Sequence, residues 1–204
     1  MDTKEDSHPV LVREMVQPDG SRQVSLRVFC AKQNESVDLD VCRRCPTCVD
    51  IDGDDSGGVW VRCARSSAEA SSETAACVGA ILKAAVICVR EDVAIVTIAA
   101  ILVERELPHV YVVESTGLLL GAVRDVDLLR ARVGRVDVVA AQDMMSTAVR
   151  AREELGVHDA LLGMASRHAR QTAVITRDGI LIGALDDVTL LEQWNRKRRT
   201  KHFR

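Results

Sequence analysis

The chain has 204 residues, of which 47% are hydrophobic but only 2% aromatic, and its formal net charge is −3. This composition predicts a globular protein with an aliphatic core, and the charge argues against a nucleic-acid binder or a membrane-surface protein. The sequence has no run of about 18 uncharged apolar residues and no signal-peptide core at its N-terminus, so we expect a cytoplasmic protein without membrane contact. Seven cysteines in such a chain favour metal ligands or free thiols over disulfides.

The N-terminal segment, residues 1–65, begins with a predicted β-hairpin. Two strand-like runs, VLVREMV at 10–16 and SRQVSLRVF at 21–29, flank the turn signal QPDG at 17–20. We therefore predict a small β-rich segment that starts with strands at 9–16 and 21–29. Residues 64–76 are rich in Ser, Ala and Glu, and we expect a linker over 66–79.

Five cysteines in this segment form a candidate metal site. Cys42-Arg-Arg-Cys45-Pro-Thr-Cys48 contains two overlapping C-x-x-C turns, and Cys30 and Cys63 each close a strand-like run. Two strand ends and a turn can supply the four thiolates that structural zinc prefers. We predict zinc at Cys30, Cys42, Cys45 and Cys63, with Cys48 as the alternate ligand. Such a site supplies about 10–16 kcal/mol coupled to folding, which a segment with little core needs.

Other interpretations of the cysteines remain open. An iron–sulfur cluster also uses a C-x-x-C-x-x-C run, but it would leave Cys30 or Cys63 idle. The thiols could also be buried or reactive without any metal. A redox C-x-x-C is disfavoured because the βαβ context of thioredoxin-like motifs is absent around it. Cys77 and Cys88 lie among small apolar residues, and we expect them to be buried.

The rest of the chain is dominated by an internal repeat. The stretch GLLLGAVRDVDLL at 117–129 recurs 62 residues later as GILIGALDDVTLL at 179–191. Each copy is an apolar strand that opens with Gly and runs into a helix with an acidic start. The same offset extends the similarity to about 85–133 and 147–195. A repeat of this length fixes the architecture before any single motif does.

Each repeat is predicted to contain the element order β-α-β-β-α. The predicted strands are 84–90, 110–114 and 118–123 in the first repeat and 147–152, 172–176 and 180–185 in the second. The predicted helices are 93–107 and 125–132 in the first repeat and 153–167 and 186–197 in the second. Because neither unit can bury its apolar face alone, we predict an α/β (α+β) fold whose two units pack through their sheets.

These features resemble a tandem pair of CBS domains, also called a Bateman module. The resemblance rests on the element order, the G-x-x-x-G strand before a helix and the lead-in Asp143-Met-Met-Ser. It implies repeats at 80–134 and 140–197, followed by a basic tail at 198–204. Such pairs are typically regulatory rather than enzymatic, and many bind adenine nucleotides between the repeats. The resemblance leads us to expect a homodimer that acts on an unidentified protein partner in trans.

The family's nucleotide motif, G-h-x-S/T-x-x-D, places a hydroxyl at the phosphate and an Asp at the ribose. In the first repeat the matching residues are Gly121, Arg124 and Asp127. The Asp is present, and Arg replaces the hydroxyl residue but could itself pair with phosphate. We therefore expect a nucleotide site at these three residues, with two ordinary surface residues at the helix start as the alternative.

The second repeat departs further from this motif. Asp186 stands at the phosphate position and Thr189 at the ribose position, after Gly183. The loss of one charge-assisted hydrogen bond costs about 1.5–3 kcal/mol, and repulsion from the acid adds to that cost. We therefore expect at most one competent nucleotide site in the chain.

Other functions have weaker support. The histidines show no ligand spacing, and no general base stands next to a nucleophile, so we do not expect an enzyme. The stretch 196–204 carries six Lys or Arg and no acid, which could contact nucleic acid or an acidic partner but is typical of a solvated helix end. The main alternative to a nucleotide sensor is a protein-interaction or dimerisation module with empty clefts and a structural metal site.

Overall fold

The computed structural model describes residues 5–53, 58–64, 77–82, 85–134 and 139–201. Most of the predicted linker, the end of the basic tail with His202, and part of the loop before Cys63 therefore lie outside the described residues. Among the described residues, no helix is both long and apolar enough to cross a bilayer.

The N-terminal segment is built mostly from strands. Its elements are β1 (Glu5–Val16), β2 (Arg22–Cys30), β3 (Glu35–Asp38), α1 (Leu39–Arg43), β4 (Cys48–Gly53) and β5 (Val59–Ala64). The predicted hairpin is confirmed, since β1 and β2 are antiparallel with Val10 opposite Val28 and Val16 opposite Arg22. The first strand begins earlier than predicted because its first residues, 5–9, pair with β5.

The two repeats have the predicted order of elements. The first contains β6 (Val86–Arg90), α2 (Ile95–Glu104), β7 (His109–Val113), β8 (Leu119–Arg124) and α3 (Asp125–Gly134). The second contains β9 (Arg150–Arg152), α4 (Val157–Ala165), β10 (Gln171–Ile175), β11 (Leu181–Asp186) and α5 (Asp187–Lys201). The predicted β-α-β-β-α units are confirmed, and the helices α2 and α4 are shorter at both ends than the apolar periodicity indicates.

The sheets of the two repeats pack face to face, as predicted. One buried cluster joins Tyr111 and Leu119 of the first repeat to Ile175 and Leu181 of the second. Reciprocal backbone hydrogen bonds reinforce this contact: the N–H of Leu119 donates to the Gly179 carbonyl at 3.0 Å, and the N–H of Leu181 donates to the Gly117 carbonyl at 3.0 Å. This exchange relates the two repeats by an approximate two-fold axis.

Strand β1 connects the N-terminal segment to both repeats, which the sequence did not indicate. It pairs in parallel with β6, with Arg13 opposite Val86, so the first repeat's sheet continues into the N-terminal segment. On the same strand, Leu11 is buried in the core of the second repeat. An unpaired β6 would leave an open sheet edge, and β1 covers it.

Candidate functional site

A cleft of about 980 Å³ opens where the strand-to-helix junctions of the two repeats meet. The β8–α3 junction forms one side and the β11–α5 junction forms the other, with the stretch 146–149 between them. The first residues of β7 and β10 complete its wall. Its size lies within the range of roughly 300–1,000 Å³ that is usual for small-molecule sites.

Gly121 shapes this cleft but does not line it. A Cβ at position 121 would lie 2.6 Å from the carbonyl oxygen of Ser146. The backbones approach closely here because Ala122 and Ser146 exchange two hydrogen bonds of 2.9 Å each. The glycine therefore lets the lead-in to the second repeat lie directly on β8, where it forms one wall of the cleft.

Arg124 and Asp127 form a bidentate ion pair at the β8–α3 junction. The guanidinium donates from Nε to Oδ2 and from Nη2 to Oδ1, both at 2.9 Å, and the backbone N–H of Arg124 lies 3.3 Å from Oδ2. The hydrogen bond from the Arg124 side chain holds the pKa of Asp127 below its usual value. Arg124 lines the cleft, whereas the Asp127 side chain is only 11% exposed. The carboxylate predicted to meet ribose is thus already engaged by the arginine predicted to meet phosphate.

The corresponding junction of the second repeat has a different arrangement. Asp186 lines the cleft, and its Oδ1 accepts a 2.6 Å hydrogen bond from the backbone N–H of Thr189. Asp187 forms an ion pair of 3.3 Å with Arg170. The Asp186 side chain therefore caps the start of α5 with its own oxygen and leaves a negative charge at that helix start.

Sequence reasoning missed several cleft residues on the starts of β7 and β10. His109 packs edge-on against Tyr111 with ring centroids 4.8 Å apart, and both line the cleft. Burial lowers the pKa of His109, so its imidazole is neutral at pH 7. Arg167 and Arg170 add two cations from the other repeat. For His109 and Tyr111 the sequence held one signal: the helix stop at 108 lies directly before a strand, and the first residues of that strand face the cleft.

The five cysteines of the N-terminal segment lie near one another at one end of its core. Cys42 of α1 is buried in the cluster that includes Val61, and Cys48 and Cys63 pack against it. Burial raises the pKa of Cys42 to about 11, and the charges of the neighbouring thiols, chiefly Cys30, add to this rise. Hydrogen bonding to Thr47 instead lowers the pKa of Cys45, whose Sγ lies 3.1 Å from the Thr47 hydroxyl.

None of these thiols is in a disulfide, and Cys77 and Cys88 are buried as expected. Within the described ranges, no three His, Cys, Asp or Glu side chains are arranged to hold a metal ion. The structure thus brings the predicted ligands into one neighbourhood without closing a coordination shell.

Comparison with known proteins gives one match to a family model. Residues 78–134 match the model described as CBS domain. No curated protein matches the chain. The two repeats have the fold of a CBS domain pair, as their similarity to solved structures shows.

Three of these structures are similar to the chain at a TM-score of 0.51. A CBS domain pair in complex with 5′-methylthioadenosine and S-adenosyl-L-methionine is 19% identical, and the match covers 59% of this chain and 97% of that one. A CBS domain protein from Pyrobaculum aerophilum complexed with AMP is 21% identical, with 58% and 98% covered. Hypoxic Response Protein I with two coordinated zinc ions is 18% identical, with 57% and 97% covered. At sequence identities of 18–21%, these matches show that the folds are similar.

Proposed function

We propose that the chain is a non-enzymatic regulatory module of the cytoplasm, a CBS pair that binds an adenine nucleotide at a single site in its first repeat. We further propose that it forms a homodimer and acts on a protein partner in trans. The observation that carries this proposal is the contrast between the two junctions at one cleft. The first offers a guanidinium and a carboxylate that can be released, and the second offers an acid that caps its own helix.

Ligand binding would exchange one ion pair for two contacts. Arg124 would turn from Asp127 to the phosphate, which frees a lone pair on each oxygen of Asp127 for the ribose hydroxyls, while the Arg124 backbone N–H and Arg130 stay beside the carboxylate. The Arg124 side chain is 48% exposed and that of Asp127 11%, and the contact that Arg124 gives up is replaced by one with the phosphate. The phosphate then gains a bidentate partner, which is stronger than a neutral hydrogen bond.

The remaining wall suits the base of a nucleotide. Tyr111, Val126 and Ala148 present apolar surface to the cleft beside the neutral His109. A purine ring is flat and apolar on its faces, and it packs well against an aromatic ring or aliphatic side chains. The solved CBS pairs complexed with AMP or with S-adenosyl-L-methionine support this ligand class.

Equilibrium dialysis against AMP, ATP and S-adenosyl-L-methionine tests this proposal. We expect the wild type to bind one of them with one molecule per chain. Asp127→Ala should weaken that binding about ten- to a hundredfold, the equivalent of one charge-assisted hydrogen bond. Thr189→Ala, at the corresponding position of the second repeat, is the matched control and should bind like the wild type. Absence of binding, or equal affinity in Asp127→Ala, would contradict the proposal.

A second function, protein interaction with empty clefts, is favoured by exposed apolar side chains on the first repeat's helices. Val96 and Val103 of α2 are 77% and 80% exposed, and Leu129 of α3 is 65% exposed. Large aliphatic residues grouped in this way are typical of association surfaces. Sedimentation of the wild type and of Val103→Glu tests it. The interaction function predicts a dimer that the glutamate dissociates, in a protein that binds none of the three nucleotides.

We also propose a structural zinc ion at Cys30, Cys42, Cys45 and Cys63, with Cys48 as the alternate ligand. Support comes from the sulfur atoms that lie near one another. Their mutual repulsion raises the pKa of the thiols, and a divalent cation would neutralise that charge and so favour the thiolates as ligands. Binding would require the thiol side chains to rotate into a tetrahedron. Elemental analysis of the purified chain should give one zinc per molecule. Iron with visible colour would favour an iron–sulfur cluster, and absence of metal would contradict both.

A further inference from the structure

Cys48 and Cys63 stand directly opposite each other on neighbouring strands. The antiparallel register of β4 and β5 pairs Cys48 with Cys63 at the end of the ladder, next to a register shift between Cys48 and Asp50. The N–H of Ala64 donates to the Thr47 carbonyl at 2.8 Å, so the hydrogen bond flanks the cysteine pair rather than joining it. In such a non-hydrogen-bonded pair the Cα atoms are about 4.5 Å apart and the side chains share one face. This spacing falls within the roughly 4.4–6.8 Å that a disulfide requires.

The other cysteines of the segment lack this relation. Cys30 lies opposite Glu35 of β3. Cys42 is buried in α1. Cys45 lies in the turn before β4, and its sulfur is hydrogen-bonded to the Thr47 hydroxyl. Among the described cysteines, Cys48 and Cys63 therefore form the one direct cross-strand pair.

The surroundings of the pair leave both sulfurs open to oxidation. Both thiols are partly exposed, so a small oxidant can reach them. First attack by either thiolate gives the same disulfide, because the second sulfur lies directly across the strand pair.

We propose that Cys48 and Cys63 form a reversible disulfide when the protein meets a hydroperoxide. The Cys48 thiolate attacks one peroxide oxygen, the O–O bond breaks, and the released hydroxide takes a proton to become water. The Cys63 thiolate then attacks the sulfur of the Cys48 sulfenic acid, and the S–O bond breaks with release of a second hydroxide, which is protonated to water. With hydrogen peroxide, two thiols and one peroxide give one disulfide and two waters.

The cross-link would fix β4 to β5 within a segment that contacts both repeats. Strand β5 pairs with β1, and β1 pairs with β6 of the first repeat. Oxidation would therefore remove freedom from the part of the chain that closes the sheet edge of the CBS pair. This inference depends neither on nucleotide binding nor on a bound metal, because it rests on the register of two strands.

Peptide mapping of the full chain tests the inference. The purified protein, as isolated and after removal of metal with a chelator, is treated with hydrogen peroxide, alkylated, digested without reduction and analysed by mass spectrometry. We expect the peptides of Cys48 and Cys63 to be joined in the chelated sample, with two alkylatable thiols lost per chain. Dithiothreitol should restore both thiols.

Variants identify the pair. Cys48→Ser and Cys63→Ser should each lose the cross-link, whereas Cys45→Ser, the matched control three residues away, should form it like the wild type. Circular dichroism of each variant checks its folding, and the wild-type map decides the question if a variant does not fold. A dominant Cys45–Cys48 link, or only sulfinic and sulfonic products in both samples, would overturn the inference. Zinc measured before oxidation separates this outcome from the fate of the zinc proposal.

Discussion

The β-hairpins of the two repeats end in different ways. At the end of β8, Arg124 reaches forward to hold the carboxylate of Asp127 in an exposed ion pair. At the end of β11, the carboxylate of Asp186 accepts the helix N–H of Thr189. The first arrangement can open to receive an anion, while the second already satisfies the helix start with a negative charge. The same order of strand and helix thus carries a cation at one junction of the cleft and an anion at the other.

The repeats also differ in how the N-terminal segment contacts them. The first repeat is extended by backbone pairing, with Arg13 opposite Val86. The second is contacted through side chains: the fully buried Glu153 accepts a 2.6 Å hydrogen bond from the N–H of Ser36. Backbone pairing tolerates most substitutions, whereas the second contact depends on particular side chains, Glu153 and the buried Leu11 among them.

The largest effect should come from the glycines that precede the two junctions. A Cβ at Gly121 meets the backbone oxygen of Ser146 at 2.6 Å, whereas a Cβ at Gly183 meets the flexible side chain of Leu82 at 2.8 Å. We expect Gly121→Ala to lower the free energy of unfolding by about 2–3 kcal/mol and Gly183→Ala by no more than about 1 kcal/mol. Urea denaturation measures both values, and equal losses would show that the two repeats are packed alike.

The second effect concerns Glu153 in the contact between the N-terminal segment and the second repeat. Glu153→Ala leaves the buried N–H of Ser36 without an acceptor, and we expect a loss of about 1–3 kcal/mol in the free energy of unfolding. Glu153→Gln keeps a carbonyl oxygen for that N–H and carries no buried charge, so it should be at least as stable as the wild type at pH 7. Urea denaturation checks both, and a loss in Glu153→Gln as large as in Glu153→Ala would contradict this role of the hydrogen bond.

The same residue predicts a pH dependence. Burial raises the pKa of Glu153 above its unfolded value, so the folded state favours the protonated carboxyl. Its contribution to stability is complete below the unfolded pKa, about 4.3, and is lost as the pH rises through the folded pKa. We expect Glu153→Gln to remove this part of the fall in stability, measured as unfolding free energy against pH. An unchanged profile in the variant would contradict the assignment.

The smallest effect should come from the ion pairs at the two junctions. Arg124→Ala should cost about 0.5 kcal/mol and Arg170→Ala, whose side chain is 82% exposed, about 0.2 kcal/mol or less. Because Arg124 lowers the pKa of Asp127, its contribution is present above the unfolded pKa of about 3.9 and is lost as the pH falls through the folded pKa. Thermal unfolding at pH 7 and pH 3 checks this, and a loss above about 2 kcal/mol would mean that the pair is structural.

Much of the CBS-pair fold was predictable because the same sequence pattern occurs in both repeats. The paired stretches 117–129 and 179–191 fixed the strand-helix order, and the need to bury two apolar faces fixed the packing of the sheets. The path of β1 was not predictable, because its apolar run VLVREMV indicates a strand but not its partner. Pairing with β6 joins positions about 70 residues apart, and local pattern carries no information on such contacts.

The candidate site was predictable in position but not in geometry. The motif comparison placed Arg124 and Asp127 at the helix start, where the structure has them. In the motif they are independent ligand groups, whereas in the structure they form an ion pair. An Arg three residues before an Asp at a helix start lies close enough for its side chain to reach forward to the carboxylate. The cleft residues His109 and Tyr111 come from a strand start, which the helix stop at 108 marks although the nucleotide motif does not include it.

The central claim is that the first repeat alone carries the nucleotide site. Isothermal titration of AMP into the wild type, Asp127→Ala and Asp186→Ala tests it most directly. We predict one site per chain in the wild type, an affinity about ten- to a hundredfold lower in Asp127→Ala, and an unchanged or higher affinity in Asp186→Ala. Loss of binding in Asp186→Ala with full affinity in Asp127→Ala would place the site in the other repeat and contradict the account.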